Sequence, residues 1–398
     1  MIATDPRELR FLLNRRSSIE SLLPRVRAIL RDVRVMGDRA LRRYTKRFDG
    51  CDLGEFRVPP EEVRAAGRRA PEALRRAARN IRRFHERQRR RGWSVRVEPG
   101  VVAGVRYVPL RRVGLYVPRG YGSTALMTSI PAKVAGVPGI ALCTPPDKRG
   151  RVSPLVLQAA ALSGVEEVIA AGGAQAVGAL AHGTESIRPV EKIAGPGNAW
   201  VTAAKIAVRG LVEIDFPAGP SEAVILADAT APVEFVVADL RAQLEHGAGA
   251  TGVLVTDSER LARAVERRMG RRVPILRADL PTGLDFINDL APEHVEVIAR
   301  DAERVARRVR TAGALFIGPW SPIAAGDFAT GTNHVLPTAG FARVFSGLGV
   351  EDFQRRMAWQ RLSREGVRNL APAVAGIARA EGMAEHARSV AVRSRARR

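Results

Sequence analysis

The chain has 398 residues, enough to bury a sizeable core and to divide into two or more domains. A hydrophobic content of 46%, punctuated by 37 glycines and 25 prolines, excludes a disordered chain and suits a globular α/β protein. The formal charge of +23 invites a nucleic-acid reading, but of 64 basic residues only Lys46, Lys133, Lys148, Lys192 and Lys205 are lysines. The arginines run through the whole chain, which a genome-wide codon bias explains better than phosphate contact does. The clusters at Arg82 to Arg91 and Arg393 to Arg398 lie on what read as solvated helical faces, with no nucleic-acid-binding module beside them.

Residues 1 to about 30 read as a polar helical extension, charged from the start. No apolar core with a cleavage site follows, and no apolar run reaches membrane-spanning length, so a soluble, cytoplasmic protein without membrane partners is expected. Pro59 to about Arg91 is a second helical region. Strand signals begin near Val95 and recur at Arg112 to Val117, Gly139 to Cys143, Val165 to Ala170 and Ala223 to Leu226, with helices at Ser153 to Ser163 and Ala174 to Ala181 between them. A second alternating set follows: Gly252 to Val255, a helix Ser258 to Met269, Val273 to Leu276, Val295 to Ala299, a helix Asp301 to Ala312, and Leu315 to Ile317. After Asp352 the chain reads as helical to its end, with no strand signal. Cys51 and Cys143 are isolated, which supports neither a disulfide framework nor a cysteine zinc site.

Alternating strands and helices imply parallel β-α-β units. The expected fold class is α/β: two related incomplete Rossmann-like domains with helical N-terminal and C-terminal extensions. The expected division is 1–30 as the N-terminal extension, 31–112 with 222–346 as one α/β domain, 113–221 as the nucleotide-binding domain, and 347–398 as a C-terminal helical domain.

Several motifs carry chemistry. In the run Asp239-Leu-Arg-Ala-Gln243-Leu-Glu-His246-Gly247, Thr230 can cap a helix with Pro232 early in it, and Val233, Val236, Val237, Leu240 and Leu244 recur at helical spacing until Gly247. Gln243 and His246 are then i, i+3 neighbours beside the apolar face, where an amide or imidazole is costly unless something binds it. Spacing alone is weak evidence for a metal pair, because satisfied buried histidines are common and spacing does not exclude them. The turns Ala171-Gly172-Gly173-Ala-Gln175 and Gly195-Pro-Gly197-Asn198 each open a helix, and with Leu115-Tyr-Val-Pro118 they make a dinucleotide site plausible, although neither is a G-x-G-x-x-G fingerprint. Pro292-Glu293-His294 sets an acid and a base side by side at a strand edge. Gly326-Asp327-Phe-Ala-Thr-Gly-Thr-Asn333-His334 is a polar Gly-rich loop, and Glu381-Gly-Met-Ala-Glu-His386 places an acid and a histidine in the C-terminal segment.

These stretches, with Ser129-Ile-Pro-Ala-Lys-Val-Ala-Gly136, Lys192-Ile-Ala-Gly-Pro-Gly-Asn-Ala199, Pro217-Ala-Gly-Pro-Ser-Glu222, Gly331-Thr-Asn-His-Val-Leu-Pro-Thr338 and Asp352-Phe-Gln-Arg-Arg-Met357, resemble the histidinol dehydrogenase family in order and spacing from about Phe48 to Val390. The resemblance implies a zinc-dependent, NAD-linked oxidation of L-histidinol through L-histidinaldehyde to L-histidine. It implies zinc ligands at Gln243, His246, Asp327 and His386, a donor set without thiolates that leaves room for substrate nitrogens. His294 would be the general base and Glu293 would activate water. Ser221, His334 and Glu381 would join the ligands in binding substrate, and Tyr116, Gln175 and Asn198 would contact NAD. It also implies an intertwined homodimer in which Glu381 and His386 act across the interface.

Two departures stand out. Arg119-Gly-Tyr-Gly-Ser-Thr124 replaces a glycine pair and a longer loop, so a bulky cation borders the cofactor site, where it would hinder the dinucleotide or pair with its phosphates. Leu244 and Trp200 read as packing changes. The main alternative is a paralogous zinc- and NAD-dependent dehydrogenase of another small polar alcohol, amino or sulfonated. A basic nucleic-acid-binding protein is the alternative from a different class.

Overall fold

Strands rich in Val, Ile, Leu and Ala, separated by helices, form sheets that must be covered on both faces, and the computed structural model shows this for residues 2–13, 17–247 and 249–396. Residues 397 and 398 of the C-terminal basic cluster lie outside the described residues. By its contacts the chain divides into two units, one of 1–88 with 110–353 and one of 89–109 with 354–398.

The first unit holds two all-parallel sheets. One has the order Glu167–Ala170, Gly139–Thr144, Arg112–Tyr116, Lys192–Ala194, Glu213–Ile214. The other has the order Ile2–Ala3, Ile275–Arg277, Thr251–Thr256, Glu222–Ala227, His294–Ile298, Ala314–Ile317. Setting aside Ile2–Ala3, the two share one winding: the first strand is central, the second and third lie to one side, and the fourth and fifth to the other. This is the doubly wound arrangement, and it agrees with the fold class read from the sequence. Glu222–Ala227 is buried along its whole length. Val224 and Leu226 enter one apolar cluster while Ile225 and Ala227 enter another on the opposite face, as the two-residue period of a strand requires.

Three differences from the sequence reading have physical causes. Ile2–Ala3 is an edge strand against Ile275–Arg277, too short to give a periodic signal. The helices Leu23–Asp49, Pro60–Arg68 and Glu72–Glu86 pack on the helices of the five-stranded sheet, so 31–112 does not group with 222–346 as expected. Helical periodicity shows which face is buried, but not which layer buries it. Third, Gln354–Leu362 is a nine-residue strand where only helix was expected.

That strand belongs to the second unit. It pairs antiparallel with Val101–Pro109, which pairs with Trp93–Glu98. Its sequence, QRRMAWQRL, is mostly exposed and lacks apolar alternation, so ladder pairing rather than burial makes it a strand. The helices Arg364–Ala380 and Ala384–Arg395 pack on each other. Among the described residues no helix is long and apolar enough to cross a membrane.

Candidate active site

A cavity of about 400 Å³ lies in the first unit, between the carboxyl ends of the five-stranded sheet and the amino ends of the six-stranded one. From the six-stranded side come Ser221, His246, Glu293, His294, Asp327 and His334. His294 is the first residue of its strand, and its neighbour Glu293 is carried on the preceding turn.

Glu293 and His294 are both buried. The Glu293 carboxylate accepts from Ser221 Oγ at 2.6 Å and from the Glu222 N–H at 3.0 Å through the same Oε2. Burial pushes its pKa up to about 8 despite those bonds, and the nearby Glu222 and Asp327 push in the same direction. His294 Nδ1 lies 3.3 Å from the Glu222 carbonyl, which can only accept, so Nδ1 carries the proton. Nε2 is left without a hydrogen bond, 3.6 Å from Asp327 Oδ1. Burial holds the imidazole below its ordinary pKa, although Asp327 opposes this, so it is neutral and basic at Nε2 near neutral pH.

The same device recurs twice. His246 Nδ1 is 3.2 Å from the Gln243 carbonyl, and His334 Nδ1 is 2.6 Å from the Asp327 carbonyl. All three histidines are thus oriented by a backbone carbonyl. His334 differs in that Nε2 is also engaged, by Thr124 Oγ1 at 3.1 Å, and burial pushes its pKa down to about 4.

The helix expected to carry Gln243 and His246 spans Val233–Leu244, so Gln243 is in its last turn and His246 follows beyond it, exposed. Thr230 does not cap it; its N–H and hydroxyl bond to Asp228, and Pro232 precedes the first turn. Gln243 is buried, and its Nε2 donates to Ser221 Oγ at 3.1 Å. That leaves Oε1 with no hydrogen-bond partner among the described residues. Asp327 lies near the end of the short helix Ile323–Phe328, and burial raises its pKa against the pull of His294 and His246. No group of three or more His, Cys, Asp or Glu suited to a metal ion is assembled among the described residues. Glu381 and His386 belong to the second unit, at the end of Arg364–Ala380 and within Ala384–Arg395, and both are exposed.

The five-stranded side carries the residues expected at a dinucleotide. Tyr116 ends its strand, and its hydroxyl accepts from the Gly173 N–H at 3.1 Å; burial raises its pKa to about 12. Gln175 is buried with neither Oε1 nor Nε2 paired, a cost that a bound ligand would remove. Asn198 serves the backbone. Its Oδ1 accepts from the N–H groups of Trp200 (3.0 Å) and Val201 (3.2 Å), capping the helix Ala199–Val208. Arg119 does not project a free charge at this edge. It pairs with Asp49 at 3.0 Å. Sequence reasoning missed Thr124 and Glu222, whose parts in holding His334 and His294 depend on contacts between distant segments.

The histidinol dehydrogenase family model matches residues 13–279 and 271–394. The histidinol dehydrogenase of Methanosarcina mazei is 44% identical, covering 97% of this chain and 95% of that protein. That of Moorella thermoacetica is 46% identical over 94% of this chain and 95% of its own length. The crystal structure of histidinol dehydrogenase from Elizabethkingia anophelis superposes with a TM-score of 0.92 at 36% identity, covering 99% of this chain and 97% of that one.

Proposed function

The chain belongs to the histidinol dehydrogenase family, NAD-dependent oxidoreductases, and from that premise we propose that its cavity carries out the four-electron oxidation of L-histidinol through the aldehyde to L-histidine, with two NAD consumed. The observation that carries this reading is the pairing of a neutral imidazole, open only at Nε2, with a neighbouring carboxyl whose pKa lies near 8. An alcohol oxidised to an acid needs a base for the hydroxyl proton and then a base for water, and His294 and Glu293 offer one each.

In the first half, His294 Nε2 takes the hydroxyl proton as the carbinol carbon loses hydride. The Glu222 carbonyl on Nδ1 fixes the ring and supports the charge it gains. In the second half, ionised Glu293 removes a proton from water as it adds to the aldehyde, and Ser221 and the Glu222 N–H hold the carboxylate in place. The resulting hydrate loses a second hydride and a proton to give the acid. NAD supplies the hydride acceptor in both halves.

The residues present fit a zinc ion. Gln243 Oε1 is a buried acceptor with no donor, and the buried Asp327 carboxylate lies 3.6 Å from His294 Nε2, beyond hydrogen-bond reach. Together with the His246 imidazole they form an oxygen and nitrogen set of low charge, the donor chemistry of an open rather than a closed zinc site. Gln243, His246 and Asp327 would hold the ion, with His386 supplied by a second subunit of a homodimer. When bound, zinc would supply a fixed point for the substrate's nitrogens. Glu381 of that second subunit and His334 would contact the substrate, while Tyr116, Gln175 and Asn198 would line the NAD side. A cytoplasmic location suits a biosynthetic NAD enzyme of this kind.

The test is to supply histidinol with excess NAD and count NADH per histidinol, with and without a chelator. Two NADH, lost with chelator and restored by zinc, is the expected result. One NADH or none with histidinol, while another polar alcohol is oxidised, would replace histidinol as the substrate.

A further inference from the structure

Gly195 has φ +120°, and a Cβ there would collide with the Tyr116 carbonyl oxygen. It lies one residue beyond the strand Lys192–Ala194, past the end of that strand's ladder. Its N–H instead donates to Asp215 Oδ2 at 2.7 Å, and its carbonyl accepts from Lys205 Nζ at 2.9 Å. Lys205 and Asp215 are themselves ion-paired, and both side chains are almost wholly removed from solvent, at 2% and 0% exposure. One buried charge pair therefore closes on both polar backbone atoms of a single glycine. One turn earlier on the same helix, Thr202 Oγ1 donates to the Ala218 carbonyl at 2.9 Å. The turn Gly195-Pro196-Gly197-Asn198 and the segment from Asp215 to Ser221 both line the cavity.

A buried ion pair is a poor way to gain stability, since well-packed apolar residues of similar volume usually do as well or better. Apolar side chains cannot, however, donate to the Gly195 carbonyl or accept from its N–H. We propose that Lys205 and Asp215 are positioning residues for the cofactor: they hold the Gly195-Pro196-Gly197-Asn198 turn in its bound form before the dinucleotide arrives. The ordering cost is then met on folding, so NAD binds a preformed wall. This rests on the reading that NAD lies along the carboxyl edge of the five-stranded sheet.

The test compares the wild type with Asp215→Asn and with an apolar double variant, Lys205→Met with Asp215→Leu. Hydrogen exchange of the Gly195, Gly197 and Asn198 amides is measured with and without NAD, alongside melting temperature and steady-state kinetics. In the wild type NAD should slow exchange at these amides. The double variant should melt near the wild type yet exchange there about tenfold faster, with Kd and KM for NAD raised about tenfold, the effect of losing roughly one buried hydrogen bond. KM for histidinol should stay within about twofold. Asp215→Asn, which keeps an acceptor for the Gly195 N–H, should fall between them, and it serves alone if the double variant does not fold. Wild-type exchange and NAD affinity in the variants would overturn the proposal, as would a parallel loss of NAD affinity, histidinol affinity and melting temperature. If NAD leaves the wild-type amides unprotected, the placement of NAD fails first and takes this proposal with it.

Discussion

The two parallel sheets of the first unit share a strand order but meet the cavity with opposite edges. The five-stranded sheet presents its carboxyl ends, where Tyr116, Gly173 and Gly195 lead into or adjoin helix N-termini. Such an edge offers backbone N–H groups and suits an anionic dinucleotide. The six-stranded sheet presents its amino ends and the C-terminal ends of helices, an edge rich in carbonyls. Those carbonyls, from Gln243, Glu222 and Asp327, take the Nδ1 protons of His246, His294 and His334. The same fold thus supplies an anion-binding wall and a base-bearing, cation-tolerant wall, according to which end is used.

The carboxyl edge of the six-stranded sheet, which faces away from the cavity, is built differently from that of the five-stranded sheet. A hollow of about 360 Å³ lies there, but Asp228 projects into it. Its carboxylate already accepts from the Thr230 N–H at 2.8 Å and the Arg300 N–H at 2.9 Å. Two backbone N–H groups at this edge are thus already engaged by a carboxylate of the chain itself.

The largest effects are expected on the base-bearing wall. His294→Ala should lower kcat by about 10³-fold with little change in NAD affinity, followed as NADH formation and by NAD titration. Glu293→Gln should slow the aldehyde step by about 10²-fold, so that a single turnover yields one NADH quickly and the second slowly. On the anion-binding wall, Gln175→Ala should raise KM for NAD about tenfold while leaving kcat and KM for histidinol nearly unchanged, since the buried amide lacks partners until the cofactor supplies them. An equal effect on both substrates would break the division of labour.

A pH titration of the metal-free protein sharpens it further. The carboxyl of Glu293 has its pKa raised from 4.5 to about 8, so between those values the folded form holds a proton that the unfolded form has lost. Its contribution to stability is therefore full below the unfolded value and is lost as pH rises through about 8. The melting temperature should fall across that window, and Glu293→Gln should flatten the fall. The smallest effect is expected at Arg119→Gly, which should change KM for NAD by less than about twofold because the guanidinium is engaged by the largely buried Asp49. A large change would return Arg119 to the cofactor.

Much of this was legible in the chain. Alternating apolar runs marked three of the five strands in one sheet and five of the six in the other, missing Lys192–Ala194, Glu213–Ile214 and Ile2–Ala3, and Glu293-His294 was placed at a strand edge. What escaped depended on partners distant in sequence. Nothing in QRRMAWQRL marks a strand, because Gln354–Leu362 takes its structure from Val101–Pro109. The capping duty of Asn198 competes with the ligand role that the family resemblance implied, and only the bonds to Trp200 and Val201 reveal it. Gln243 was readable as an inward amide, but the choice of Nε2 rather than Oε1 for Ser221 was not.

The antiparallel pairing of Gln354–Leu362 with Val101–Pro109 also bears on how the polypeptide is made. The middle strand of that small sheet is synthesised early, while its nine-residue neighbour emerges only after nearly the whole of the first unit. During translation the hairpin of Trp93–Glu98 and Val101–Pro109, whose Trp93, Val95 and Val97 face solvent even in the finished chain, must wait with the pairing edge of Val101–Pro109 open. Such an edge is a template for off-pathway association. Closing a loop of that length is a slow, late event, so crowding by nascent chains, rather than weakness of the finished fold, should set the limit on yield.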